Sequence, residues 1–274
     1  MTTVIHTKEV KEERPLQPIA AGGWRGGLGN LLSKELGQWW RTRMWWVQLI
    51  IWVFILNGVS TLVMIEDSQS ADMTIVQQLT DVVQVFLLMG ATAISIGAVS
   101  TVQGAIVGEK QLGTAAWVMS KPASRSAFIL AKAVAHGLGF LVTAVLVPAI
   151  ILFSQTRLLV VLPLSLPSFL GGVGLLALSM LFYLALTLML GTLFNNRGPI
   201  TGIGVALVLS GLFMKGMFPP TALAVTPWLL PDISAAVTLG APLPDYWYVS
   251  VVISGCWVVL FTAVALWRFA REEF

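Results

Sequence analysis

Charge is scarce in this chain, so the place where it gathers comes first. The stretch "GEKQLGTAAWVMSKPASRSAFILAK", residues 108–132, carries Glu109, Lys110, Lys121, Arg125 and Lys132 between two long apolar runs. Within it, "TAAWVMS" lies between two helix breaks. Gly113 weakens the helix leaving the preceding run. Pro122 prevents a helix from continuing through Lys121. Trp117, Val118 and Met119 then form an apolar anchor with a charged rim, a composition suited to docking on another protein. The same residues also fit a half-turn dipping into a membrane interface. Ser124 can cap the next helix, and Arg125 and Lys132 are long enough to snorkel to headgroups.

Reaction chemistry finds little support elsewhere. No GxxxxGK[ST] phosphate loop, HExxH zinc motif or GxSxG elbow occurs. Cys256 is the single cysteine, and His6 and His136 are the only histidines. That excludes an internal disulfide, a cysteine metal cluster and most histidine-based metal sites. The basic residues are scattered and lie at the ends of apolar runs, which argues against a nucleic-acid partner.

The elements that must position the charged stretch are membrane spans. The chain has 274 residues, 57% hydrophobic and 11% charged, with a mean hydropathy of +0.85. A soluble domain would carry about 25% charged residues. Spans are expected near 44–65, 82–108, 127–155, 168–194, 198–215 and 246–267, each about long enough to cross the hydrocarbon core. Residues 1–27 read as a polar, glycine-ending tail, 28–43 as an amphipathic helix, 44–268 as the six-span unit and 269–274 as a C-terminal tail. With the N-terminus in the cytoplasm, Lys34, Arg41, Arg43, Lys110, Lys121, Arg125, Lys132, Arg197, Arg268 and Arg271 fall inside, and only Arg157 and Lys215 outside. Both termini are therefore expected in the cytoplasm of a cell-membrane protein, and the charged stretch in the loop between the second and third spans.

In the amphipathic helix, Asn30 is a candidate cap. Leu32, Leu36, Trp39, Trp40 and Arg43 share one face, opposite Lys34, Gln38 and Arg41. It is expected to lie in the plane of the headgroups, among membrane lipids. The span interiors lack Asp, Glu, Lys and Arg, which disfavours ion-coupled transport, although backbone carbonyls can bind sodium unaided. Gln48, Asn57, Gln84, Thr92 and Ser95 could line a pathway or simply bond between helices. His136 reads as a neutral hydrogen-bonding residue of the interior, and Pro148 as a kink. Gly198, Gly202 and Gly204 allow close helix approach, inside the chain or to a second copy. Residues 215–245 are proline-rich and too apolar for a solvated loop. They read as broken helices dipping into the outer leaflet, with Asp232 as a cap and Gly240 as a stop. They could form an outer gate or an interfacial brace.

The charged loop resembles that of the ATP-binding-cassette type-2 permeases, six-span membrane subunits of exporters with the type V exporter fold. Glu109, Gly113, Thr114, Pro122, Ser124, Arg125 and Lys132 occupy the family's acid, Gly-Thr, Pro-x-Ser-Arg and lysine positions. "LLSKELGQWWRTR" resembles its connecting helix. Glu109 is the loop's only acid, where many members carry more. The resemblance implies an all-α, non-catalytic permease that forms the translocation pathway and binds no cofactor itself. ATP and Mg would be held by a separate ATPase subunit, alongside a second permease protomer, identical or homologous. It also implies coupling contacts at Lys34, Glu35, Glu109, Gly113, Thr114, Trp117, Met119, Lys121, Pro122 and Arg125. An ion-gradient-driven carrier and a non-transporting scaffold are the rival readings.

Overall fold

Backbone polar groups in hydrocarbon must be satisfied within the chain, and helices do this segment by segment. The computed structural model describes residues 23–70, 72–158 and 164–273. Most of the expected N-terminal tail (1–22) lies outside the described residues. Among those described, the regular structure is helical throughout. In chain order the helices are α1 (Leu28–Trp40), α2 (Met44–Gln69), α3 (Ile75–Gln111), α4 (Thr114–Met119), α5 (Arg125–Leu158), α6 (Leu166–Leu193), α7 (Arg197–Met214), α8 (Pro220–Leu223), α9 (Leu230–Leu239) and α10 (Trp247–Ala270). Helices α2, α3, α5, α6, α7 and α10 are long and apolar enough to cross a membrane. This is an all-α membrane protein with six spans.

Local chemistry sets several helix ends. Thr74 accepts from the Gln77 N–H at 3.3 Å, and the Gln77 side chain accepts from the Thr74 N–H at 2.9 Å. This capping box starts α3 ahead of the apolar run at Val82. Ser124 Oγ accepts from the Ala127 N–H at 3.0 Å and caps α5. Gly240, at φ 65°, closes α9. Two expected caps take other roles. Helix α1 begins behind Gly27 (φ 74°), which places Asn30 within its first turn. Helix α9 begins at Leu230 with a proline in its first turn, so Asp232 lies inside the helix and pairs with Lys215 instead.

Spans α2, α3 and α5 each widen into a π turn, at Val53–Asn57, Val85–Met89 and Leu141–Leu146. The last ends two residues before Pro148, which has no N–H to offer the carbonyl one turn back. Span α6 is the hub: it packs on α3, α9 and α10, and 67% of its apolar window is buried, against 17% for α10 and 22% for α7. Helix α1 packs along the start of α5. Its buried face is Leu31, Glu35 and Trp39, while Trp40 is exposed. The expected face thus divides: part of it rests on the bundle, because Trp39 donates to His136 Nδ1 at 3.2 Å and meets the Phe140 ring edge-on. Helices α1 and α4 and the C-terminus share one end of the bundle, here the basic end.

The short helices after α7 form the opposite end. Side-chain hydrogen bonds tie this segment to the spans α6 and α10. Trp257 donates to Val225 O at 3.1 Å, Ser250 to Thr226 O at 3.3 Å, and Ser234 of α9 to Gly172 O of α6 at 2.8 Å.

Candidate functional site

At the basic end the chain reverses through α4. Gly113 sits at φ 67°, in the left-handed region that costs other residues strain. This lets α4 leave α3 in a new direction. Thr114 donates to Glu109 O at 3.2 Å across the break. Ala115 and Val118 are buried and Met119 is half-buried against the core, whereas Trp117 is 62% and Leu112 79% exposed. Lys121 Nζ lies 3.4 Å from the Trp117 ring centroid, a cation–π contact that restrains the indole. Past Pro122 the chain folds back beside the start of α1, where Ser124 N–H donates to Gly26 O at 2.8 Å.

Under this loop sits an ion cluster joining three helices. Lys132 Nζ of α5 lies 3.0 Å from Glu35 Oε1 of α1 and 2.8 Å from Glu109 Oε1 of α3. Lys34 Nζ approaches Glu109 at 3.1 Å and Glu35 at 3.5 Å. The side chains of Lys132 and Glu35 are only 3% and 4% exposed. Lys132 therefore does not snorkel to headgroups: two carboxylates hold its ammonium within the bundle. Such a pair persists only with close geometry, because both charges have lost their water. Lys34 stands at the open side. Partial burial opposes its charge, but Glu109 and then Glu35 outweigh it, so the ammonium is held above the ordinary lysine range. Its own share of stability is small, since exposed pairs contribute about 0–1 kcal/mol.

A second set of contacts ties α3 to other spans. Lys110 Nζ lies 2.9 Å from Glu272 Oε1 and donates to Thr192 O at 3.3 Å. Gln111 donates to Asn195 O at 2.8 Å. Arg125 donates to Ala270 O at 2.6 Å, and Phe128 stacks on Phe269 with centroids 4.9 Å apart. Helix α4 thus lies between α3 and α5, which are tied to α1 and to the ends of α6 and α10.

A small helix with an exposed aromatic thus sits on a six-span bundle, anchored by Ala115 and Val118, above an ion cluster that joins α1, α3 and α5. The ABC-2 family transporter protein model matches residues 29–274, which takes in α1, the loop and all six spans. This chain belongs to the ABC-2 transporter family. It is a membrane permease of an ABC transporter. No curated protein matches it.

The loop residues expected from sequence divide in the permease. Trp117 and Lys121 face outward. Glu35, Glu109 and Lys34 form the internal cluster, with Glu109 Oε2 buried and unpartnered among the described residues. Gly113, Thr114, Pro122 and Arg125 shape the turn, and Met119 packs inward. Leu112 and Glu272 escaped the sequence reading. Leu112 was legible as an apolar residue beside the Gly113 break, and Glu272 as the i,i+4 partner of Arg268 at 3.3 Å, but its pairing with the remote Lys110 carries no local signal.

The candidate pathway residues sit in different surroundings. Trp52 donates to Gln48 Oε1 at 2.8 Å, Gln48 in turn reaches Thr101 at 3.4 Å, and Gln84 is exposed. Asn57 is buried in the α2 π turn, with neither side-chain polar atom partnered among the described residues. Thr92 and Ser95 share a cavity described below.

The three glycines of α7 also part company. A Cβ on Gly204 would lie 2.7 Å from Val99 Cγ1 of α3, whereas Gly198 and Gly202 have open space. Gly204 thus serves an internal helix contact. Gly204→Ala should destabilise the permease by about 1–3 kcal/mol through overpacking, while Gly198→Ala and Gly202→Ala should stay within about 0.5 kcal/mol. Thermal unfolding in detergent tests this; equal melting of all three variants would show that α3 and α7 do not approach so closely.

Proposed function

We propose that this permease is the membrane subunit of an exporter. Two copies, identical or homologous, would form the pathway together with two cytoplasmic ATPase subunits that bind ATP and Mg. Helix α4 is the segment that seats in the ATPase. The observation that carries this reading is Trp117 of α4 with Leu112 at the end of α3: both are exposed at the end of the bundle, where the other side of α4 is buried and the Glu35–Lys132–Glu109 cluster lies beneath. Closure of the ATPase pair would push α4 and be passed through the ion-paired ends to the spans, which move between packed arrangements. The spans carry no ionisable relay through their middle, so the energy is supplied from outside the bundle.

Proteoliposomes test this. Permease and ATPase should co-purify, and transport should require ATP and survive collapse of ion gradients. Transport by the permease alone, abolished when the gradient is collapsed, would make it a secondary carrier. Folded permease that binds no ATPase would leave the scaffold reading.

A further inference from the structure

Away from the coupling end, a half-open cavity of about 80 Å3 lies between α3, α6 and α7, beneath Trp228 and Pro231. Its walls are mainly apolar, with Leu88, Val208 and Leu212 among them. Two helices nevertheless contribute hydroxyls at helical spacing: Thr92 and Ser95 from α3, Ser179 and Tyr183 from α6. A hydroxyl buried in hydrocarbon without a partner is costly, and native structures satisfy nearly all of them. Ser95 is 1% exposed, yet its Oγ has no partner among the described residues. Thr92 gives its proton to Leu88 O at 3.2 Å, which leaves its oxygen free to accept.

The cavity's charge is already balanced. Lys215 at the rim is paired with Asp232. An anion would meet no uncommitted cation there, and a cation no uncommitted carboxylate. A neutral hydroxyl suits the donor set: it accepts from Ser95 and donates to Thr92. Leu212, at the cavity wall, is 58% exposed on the outside of the bundle, so an apolar body can leave along it toward lipid.

We infer that this cavity binds the uncharged, hydroxyl-bearing end of a long-chain amphiphile. That the amphiphile is cargo rests on the proposed transport function; occupancy of the cavity does not.

The full-length permease in nanodiscs is photolabelled with three diazirine probes of equal chain length: an alcohol, a fatty acid and a plain hydrocarbon. Labelled peptides are mapped by mass spectrometry. The alcohol should label α3 and α6 around the cavity at least fivefold more than either other probe. Ser95→Ala and Thr92→Val should each cut this labelling about three- to tenfold, the effect of one hydrogen bond. Ser95→Ala removes a hydroxyl with no partner, so its melting temperature should not fall, and lost labelling cannot be blamed on misfolding. Equal labelling by alcohol and hydrocarbon, or none, means a cavity that holds only water and overturns the proposal. Equal labelling by the fatty acid overturns the neutral head group, and undiminished labelling of both variants overturns the site. Labelling needs no ATPase, so failure of the coupling model would leave this result standing.

Discussion

Lys132→Met is expected to lower the melting temperature of the purified permease by roughly 6–10 °C. The substitution nearly preserves side-chain length but removes the buried ammonium that lies 3.0 Å from Glu35 and 2.8 Å from Glu109. Removing one partner of a buried pair costs about 3–5 kcal/mol, because the remaining charge is left desolvated. Lys34 already lies 3.1 Å from Glu109 and 3.5 Å from Glu35, so it offsets part of the loss and the effect should fall at the lower end. Lys34→Ala, by contrast, should cost under about 1 kcal/mol, since its side chain is 40% exposed. The double variant Lys132→Met with Glu35→Gln should lose less than the sum of the two singles, as coupled neighbours do. Unchanged melting of Lys132→Met, or strict additivity in the double, would show that α1, α3 and α5 are not held together by this charge.

Trp117→Ala should leave folding almost untouched and weaken ATPase binding by about 30-fold or more. Truncating a buried interface tryptophan typically costs at least about 2 kcal/mol. Within the chain itself the indole is 62% exposed and lies under the Lys121 ammonium, so little intramolecular packing is lost. Helix α4 stays anchored through Ala115 and Val118, both buried. Leu112→Ala should act in the same direction with a smaller effect, because leucine is less often an anchor than tryptophan. Pull-down at graded ATPase concentrations measures binding, and ATP turnover compared with transport measures coupling. If Trp117→Ala binds and couples as the parent does, α4 is not the docking element. If it melts well below the parent, the indole serves the fold instead.

The six spans were legible because long apolar runs with charged ends are a local property: each helix satisfies its own backbone, and no distant partner is needed to recognise it. The same holds for the breaks around α4. The left-handed turn at Gly113, the stop at Pro122 and the cap at Ser124 depend on residues within a few positions of one another. Where a helix can start at more than one place, local reading failed: Asn30 and Asp232 are good caps by type, but Gly27 and the proline after Leu230 open those helices first.

The interior arrangement was a different matter. A membrane helix is apolar on every side, so hydrophobic periodicity does not say which side faces protein. Sequence alone could not separate Gly204, which meets Val99, from Gly202, which meets open space. Nor could it tell that Lys132 turns inward to a glutamate 97 positions away rather than out to lipid. Composition determined that this chain crosses a membrane six times and presents a charged, aromatic hinge. Tertiary packing decided which charges neutralise one another, because that depends on contacts between helices remote along the chain.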